Sequence, residues 1–255
     1  MNSVLLTNPN DGGLYRFRDP VRVVQASCLD EVLPAVAEVQ TAVEKDGLHA
    51  AGFVSYEAGP AFDPALAAYP ADEFPLLWFG LYRDREVVPA PVAGETPALD
   101  WQPTVTPEAY RKAIRRVRRY IEEGDTYQVN YTFRLHAPFV GDPEPLFARL
   151  VNAQECAYAA YVDAGRFAIC SASPEMFFTQ DGDLLTSRPM KGTRPRGMTS
   201  TEDQRLRAEL RASEKDQAEN VMIVDMVRND LGHIAKAGSV TVDELFAVEQ
   251  YPTVW

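Results

Sequence analysis

The stretch Arg188-Pro189-Met190-Lys191-Gly192-Thr193-Arg194-Pro195-Arg196 sets one lysine among three arginines. Cations that close raise the cost of protonating Lys191, which favours a free, nucleophilic amine. The arginines suit a ligand that carries carboxylates, because a guanidinium grips a carboxylate with two parallel donors. Gly192 allows a close backbone approach and Thr193 adds a hydroxyl. A basic run by itself is more often a solvated surface loop, so the chemistry depends on what accompanies it.

Downstream, Val221-Met222-Ile223-Val224 with Met226 and Val227 is apolar on nearly all sides, which predicts a buried helix. Asp216, Glu219 and Asp225 lie in or beside it. A buried carboxylate is costly without a partner. Asp216 and Glu219 are three apart and share a face. Two arrangements answer the pattern equally. One is pairing with arginine or lysine, with Arg228 available to Asp225. The other is Mg²⁺, a hard cation held by a few carboxylates plus water and substrate oxygens. Glu175, after Ser173-Pro174 at the start of a strand, is by itself a solvated strand-end carboxylate.

Taken in order, Ser171-Ala-Ser-Pro-Glu-Met-Phe-Phe178, the Arg188–Arg196 stretch, Ser213-Glu-Lys-Asp-Gln-Ala-Glu-Asn220 running on to Gly232, and Phe246-Ala-Val-Glu-Gln-Tyr-Pro-Thr-Val-Trp255 closely resemble the chorismate-utilising enzymes. The likeness is dense from about Gly124 to Trp255 and thin before that. It implies an α+β fold, the α/β sandwich of the anthranilate synthase component I type with two large, mostly antiparallel sheets. It implies Glu219 as a Mg²⁺ ligand with Asp216 behind it or bridged by water, Glu175 as general acid/base beside the leaving group, and Gly192 and Thr193 in contact with the substrate carboxylate or ring.

Within that family, lysine at 191 and Asn220 after Ala-Glu resemble aminodeoxychorismate synthase component I. Anthranilate synthases usually carry alanine and histidine there. The reaction implied is amination of chorismate at C4 to 4-amino-4-deoxychorismate, towards para-aminobenzoate and folate. Lys191 would be the nucleophile, and a glutamine amidotransferase subunit would supply the ammonia. Anthranilate synthase component I is the second reading, and a fragment that only binds partners the third. The chain stops at Trp255 where the family continues. The resemblance therefore implies a truncated chain, without the Gly-rich stretch and the late glutamate of the metal site, and inactive alone.

The 255 residues carry a net charge of −12, which argues against nucleic acid and against anionic membrane surfaces as partners. The one cationic stretch, Arg111 to Arg119, alternates with Tyr110, Ile114, Val117 and Ile121 at helical spacing and reads as a solvated basic helix face. Cys28, Cys156 and Cys170 have no metal-like spacing and read as small buried thiols in a reducing compartment. His49, His136 and His233 have no ligand spacing either. No leader and no apolar run of spanning length is seen, so a cytoplasmic protein is expected.

The elements that would position these residues are readable in part. Asn8–Gly13 is a turn cluster. Helices are predicted over 30–45, 106–123, 146–152, 201–210 and 214–231. Strands are predicted over 50–56, 76–82, 158–162, 167–172, 176–180 and 184–187, with Asp181-Gly182 as a hairpin turn. Tyr127, Val129, Tyr131, Phe133 and Leu135 alternate with polar residues and form the clearest half-buried strand. The Pro- and Ala-rich stretch 89–107 reads as a linker. Residues 1–100 are thus expected to form the N-terminal portion of the sandwich and 101–255 the first part of the catalytic region, in one intertwined domain.

Overall fold

The computed structural model describes residues 2–7, 13–70, 73–94 and 96–255. Of the turn cluster 8–13, residues 8–12 lie outside the described residues. The chain divides into two units, Met1–Gly94 with Pro143–Trp255, and Glu95–Asp142.

In the larger unit the strands are β1 (Val4–Thr7), β2 (Leu14–Phe17), β3 (Arg22–Ala26), β4 (His49–Val54), β5 (Leu77–Tyr82) and β6 (Glu86–Val88). The first two helices are α1 (Leu29–Glu44) and the short α2 (Gly59–Phe62). β7 (Gln102–Pro103), α3 (Pro107–Glu123) and β8 (Leu135–His136) belong to the smaller unit. The larger unit then resumes with α4 (Pro143–Gln154), β9 (Tyr158–Asp163), β10 (Ala168–Ser173), β11 (Met176–Asp181), β12 (Leu184–Arg188), α5 (Ser200–Ala212) and α6 (Glu214–Gly232).

Among the described residues all strand pairing is antiparallel, in the orders β10-β9-β1-β2-β6, β3-β5-β4, β11-β12 and β7-β8. Period-2 alternation explains how the two larger sheets stack. Val4, Phe17 and Val162 on one face of the five-stranded sheet meet Ala51, Trp78 and Tyr82 of the three-stranded sheet in one buried cluster. Strand positions of the other parity face the other way. Leu5, Leu14 and Tyr161 pack with Phe147 of α4, and Ala26, Leu77 and Leu81 pack with Val32, Ala35 and Ala42 of α1. The layers therefore run α1, three strands, five strands, α4. This is an α/β sandwich with helices outside, as the motifs imply.

In the smaller unit, Thr106 caps α3 by accepting from the Ala109 amide at 3.2 Å, Pro107 occupies the first turn, and Gly124 closes the helix at φ +83°. These are the start and stop that the sequence predicts. The expected strand 127–135 does not form. Only Leu135–His136 pairs, with Gln102–Pro103. Tyr131 and Phe133 instead lie against Tyr110, at 5.8 and 5.9 Å between ring centroids. Cys28 differs from expectation too. It is exposed at the start of α1, whereas Cys156 is buried.

Candidate active site

The loop after β12 is placed by hairpin register. Met176 lies opposite Arg188, so the turn before β11 and the loop after β12 leave the same end of the hairpin. Ser173 Oγ accepts from the Glu175 amide at 3.1 Å, which tightens that turn. The Glu175 carboxylate in turn accepts from the Met190 amide at 2.8 Å. Glu175 is thereby tied to the loop at the residue before Lys191.

The arginines expected to await a ligand are already committed. Arg188 pairs with Glu249, Arg194 with Asp216 at 2.9 Å, and Arg196 with Asp203 through both Nε and Nη2, at 2.8 and 2.7 Å. Lys191, half-buried, is the one cation of the loop with no carboxylate in ion-pair range among the described residues.

Asp203 and Asp216 are the two charged residues buried among the described residues. Asp203 accepts from Arg196, from the Gly197 amide at 2.8 Å and from Trp255 Nε1 at 2.9 Å. The Arg196 guanidinium, more than the other donors, holds its carboxyl far below the usual carboxylate range. Asp216 is held below that range as well, first by the Ser213 hydroxyl and then by Arg194 against the opposing effect of burial. Asp216 is thus tied into the protein. It supports Arg194 and lies under Gly192.

Glu219 is partly exposed and pairs with Lys215 at 2.9 Å. That hydrogen bond raises the pKa of Lys215. Among the described residues no group of three His, Cys, Asp or Glu is set to hold a metal. The donor chemistry fits Mg²⁺ in a narrower sense. Glu219 offers a hard oxygen ligand whose present partner is a surface lysine, and Mg²⁺ is commonly held by one or two carboxylates with water and substrate oxygens. Asp216, occupied by Arg194, fits only behind such a ligand.

The expectation of a buried helix over Val221–Val227 fails. Asp216 is the one buried residue of α6, and Val221 and Met226 are exposed. The half-buried flank of α6 instead helps line a cleft of about 1330 Å³. Asn220, Val224 and Val227 line it together with Met190, Lys191, Gly192 and Tyr251. Asp216 also lines the cleft, whereas Glu175, Thr193 and Glu219 do not contribute to its described lining. Tyr251 donates to Glu249 at 2.8 Å, and burial is the first cause pushing its hydroxyl up to about 12.

Sequence reasoning does not single out Asp203 or Trp255 as parts of this site. Trp255 stands there only within its motif, and Asp203 looks like an ordinary first-turn acid of α5. A bulky indole after Pro-Thr-Val is the one available hint of a buried anchor.

Residues 85–255 match the family described as chorismate binding enzyme. Among curated relatives, the chain is 44% identical over 155 residues to aminodeoxychorismate synthase component 1 of Escherichia coli (strain K12), covering 61% of this chain and 34% of that protein. It is 43% identical over 147 residues to anthranilate synthase component 1 of Thermus thermophilus, covering 58% and 32%. The chain thus spans about a third of the length of the curated relatives it matches. The crystal structure of anthranilate synthase component I from Streptococcus pneumoniae superposes with a TM-score of 0.73 at 20% identity, over 100% of this chain and 68% of that one. At that identity the likeness establishes the fold. No helix among the described residues is long and apolar enough to cross a membrane.

Proposed function

This chain belongs to the chorismate binding enzyme family, and on that basis we propose that it provides the lysine side of a site that aminates chorismate at C4 to give 4-amino-4-deoxychorismate. The observation that carries the reading is Lys191. It lines the cleft and stands unpaired in a loop whose arginines are all paired. Among the described residues no ion pair holds its side chain away from the cleft.

In this reading Lys191 Nζ bonds to C2 of chorismate, the ring double bond shifts, and the C4 hydroxyl leaves as water with a proton given by Glu175. Ammonia then bonds to C4, the double bond shifts back, the C2–N bond breaks to free Lys191 as an amine, and the surplus proton on the new C4 nitrogen returns to Glu175. Two modest displacements replace one difficult one. Glu175 is tied through the Met190 amide to the residue before Lys191, which supports its role as the proton donor. Gly192 lets the loop approach the ring, and Thr193 supplies a hydroxyl to the substrate carboxylate. Mg²⁺ on Glu219 would hold the ring carboxylate and polarise the diene. A glutamine amidotransferase subunit as ammonia source, and a cytoplasmic setting, complete the proposal.

The test is covalent trapping. In a protein that carries the whole family site, incubation with chorismate and Mg²⁺ but no ammonia should add the mass of chorismate less one water at Lys191, and Lys191→Ala should gain none. An unmodified Lys191 in protein that binds chorismate would overturn the nucleophile role. The likeness to the Thermus thermophilus anthranilate synthase component 1 supports a second reading, anthranilate formation. With ammonia supplied, a fluorescent product lacking the pyruvyl group would favour it.

A further inference from the structure

We propose that Asp203 is a positioning residue for Lys191: it closes the segment Tyr251–Trp255 onto the Arg194–Arg196 part of the loop and so fixes where Lys191 stands. The inference rests on the Lys191 reading only for its consequence in catalysis. The clamp itself stands on contacts.

The clamp has a backbone half and a side-chain half. In the backbone half, the Arg194 amide donates to the Trp255 carbonyl at 3.1 Å, the Trp255 amide donates to the Arg194 carbonyl at 2.8 Å, and the Arg196 amide donates to the Thr253 carbonyl at 3.3 Å. Pro195 and Val254 bridge between them. Two residues of ladder are too few to hold by themselves, since even a full two-stranded hairpin is only marginally stable in water.

The side-chain half supplies the rest. Asp203 binds both strands at once, Arg196 on one and the Trp255 indole N–H on the other. Arg196 also lies over the Trp255 ring at 4.7 Å and donates to the Tyr251 carbonyl at 3.0 Å. Asp203 is itself fixed in the first turn of α5, which Thr199 caps by accepting from the Glu202 amide at 3.2 Å. Both carboxylate oxygens are used, and the Trp255 indole among their donors is buried. An asparagine of the same size would offer one acceptor oxygen and a competing donor to the same set of N–H groups. Asp216 of α6 pairs with Arg194. The segment from Gly192 to Arg196 is thereby tied to two helices, and Lys191 is the last side chain before the tied part begins.

The experiment is amide hydrogen exchange with residue-level mass spectrometry on the whole chain, with the acetylation rate of Lys191 measured in the same samples. The variants are Asp203→Asn, Asp203→Glu and Trp255→Phe. The expected result for Asp203→Asn is at least tenfold faster exchange at the Arg194, Arg196 and Trp255 amides and a changed acetylation rate at Lys191, with the Leu77–Tyr82 strand unaltered. Asp203→Glu should restore part of the protection, and Trp255→Phe, which leaves the Arg196 pair intact, should show a smaller rise at the same amides. Unchanged loop exchange in Asp203→Asn would overturn the proposal. So would an equal rise in the loop and in Leu77–Tyr82, or no rescue by Asp203→Glu. These readouts need no turnover, so an inert Lys191 in an intact clamp would sink the amination reading alone.

Discussion

Gly192 lies so close to Asp216 that a Cβ on residue 192 would sit 2.9 Å from the Asp216 Cβ, and its backbone is at φ +79°. Both facts demand glycine. A side chain in the left-handed region costs on the order of 1–3 kcal/mol, and Asp216 cannot retreat without straining its bond to Arg194. We expect Gly192→Ala to destabilise the protein by roughly that amount and to weaken chorismate binding by displacing the loop. Urea unfolding and equilibrium titration check the two effects. A variant as stable as the parent would mean that the loop simply shifts.

Asp216 and Glu219 of α6 should separate in a metal titration. Glu219→Gln removes the one carboxylate free to exchange its lysine for a cation. Mg²⁺ affinity should fall by at least about tenfold, the lower range for losing even an indirect support of a metal site. Asp216→Asn should change affinity less but loosen the loop, because its partner is Arg194. Isothermal titration, or Mn²⁺ resonance with Mg²⁺ competition, reads both. Equal losses would put Asp216 on the metal.

Acid should open the clamp in a defined direction. The folded pKa values of Asp203 and Asp216 both lie below the ordinary aspartate value of 3.8. A depressed carboxyl contributes stability that is fully present above its unfolded pKa and is lost as pH falls through its folded value. The parent should therefore lose urea resistance as pH drops below about 4, and Asp203→Asn should lose less over the same range. The two midpoints, well apart at neutral pH, should draw together in acid. A gap that stays constant would mean that charge on Asp203 adds nothing.

The core offers a contrast free of electrostatics. Trp78 is 2% exposed between the two sheets, so Trp78→Ala should cost about 3–5 kcal/mol. Tyr69 is 91% exposed, so Tyr69→Ala should stay within about 0.5 kcal/mol. Chemical unfolding of the two variants side by side is the check.

What the sequence discloses follows the range of the interactions. Thr106 and Gly124 act within one helical turn, and both ends of α3 are legible. The hairpin at Asp181-Gly182 is legible for the same reason. The alternation from Tyr127 to Leu135 misleads, because alternation makes a half-buried strand only where a partner ladder exists, and β7 offers two residues. β2, β3 and β6 escape notice because runs of three to five residues carry too little period. At the site, Lys191, Glu175 and Glu219 can be nominated from residue type and motif. Their neighbours cannot. Arg196 finds its carboxylate on the next helix, and Trp255 reaches the same group from 52 positions away, a pairing no local pattern encodes.

The apolar residues of α6 lead to the last prediction. A helix reading Val-Met-Ile-Val with Met-Val should be covered, yet Val221 and Met226 are exposed, and so are Ile234 and Leu245 further along. On the hairpin Phe177 and Phe178 are also exposed, at 83% and 53%. Large exposed apolar area drives association. We expect the purified chain to elute from size exclusion at an apparent mass that rises with concentration. Met226→Lys together with Phe177→Lys should suppress that rise without lowering the urea midpoint, since neither side chain is buried. Elution as a monomer at every concentration would show that these side chains, though exposed, do not form a surface able to associate.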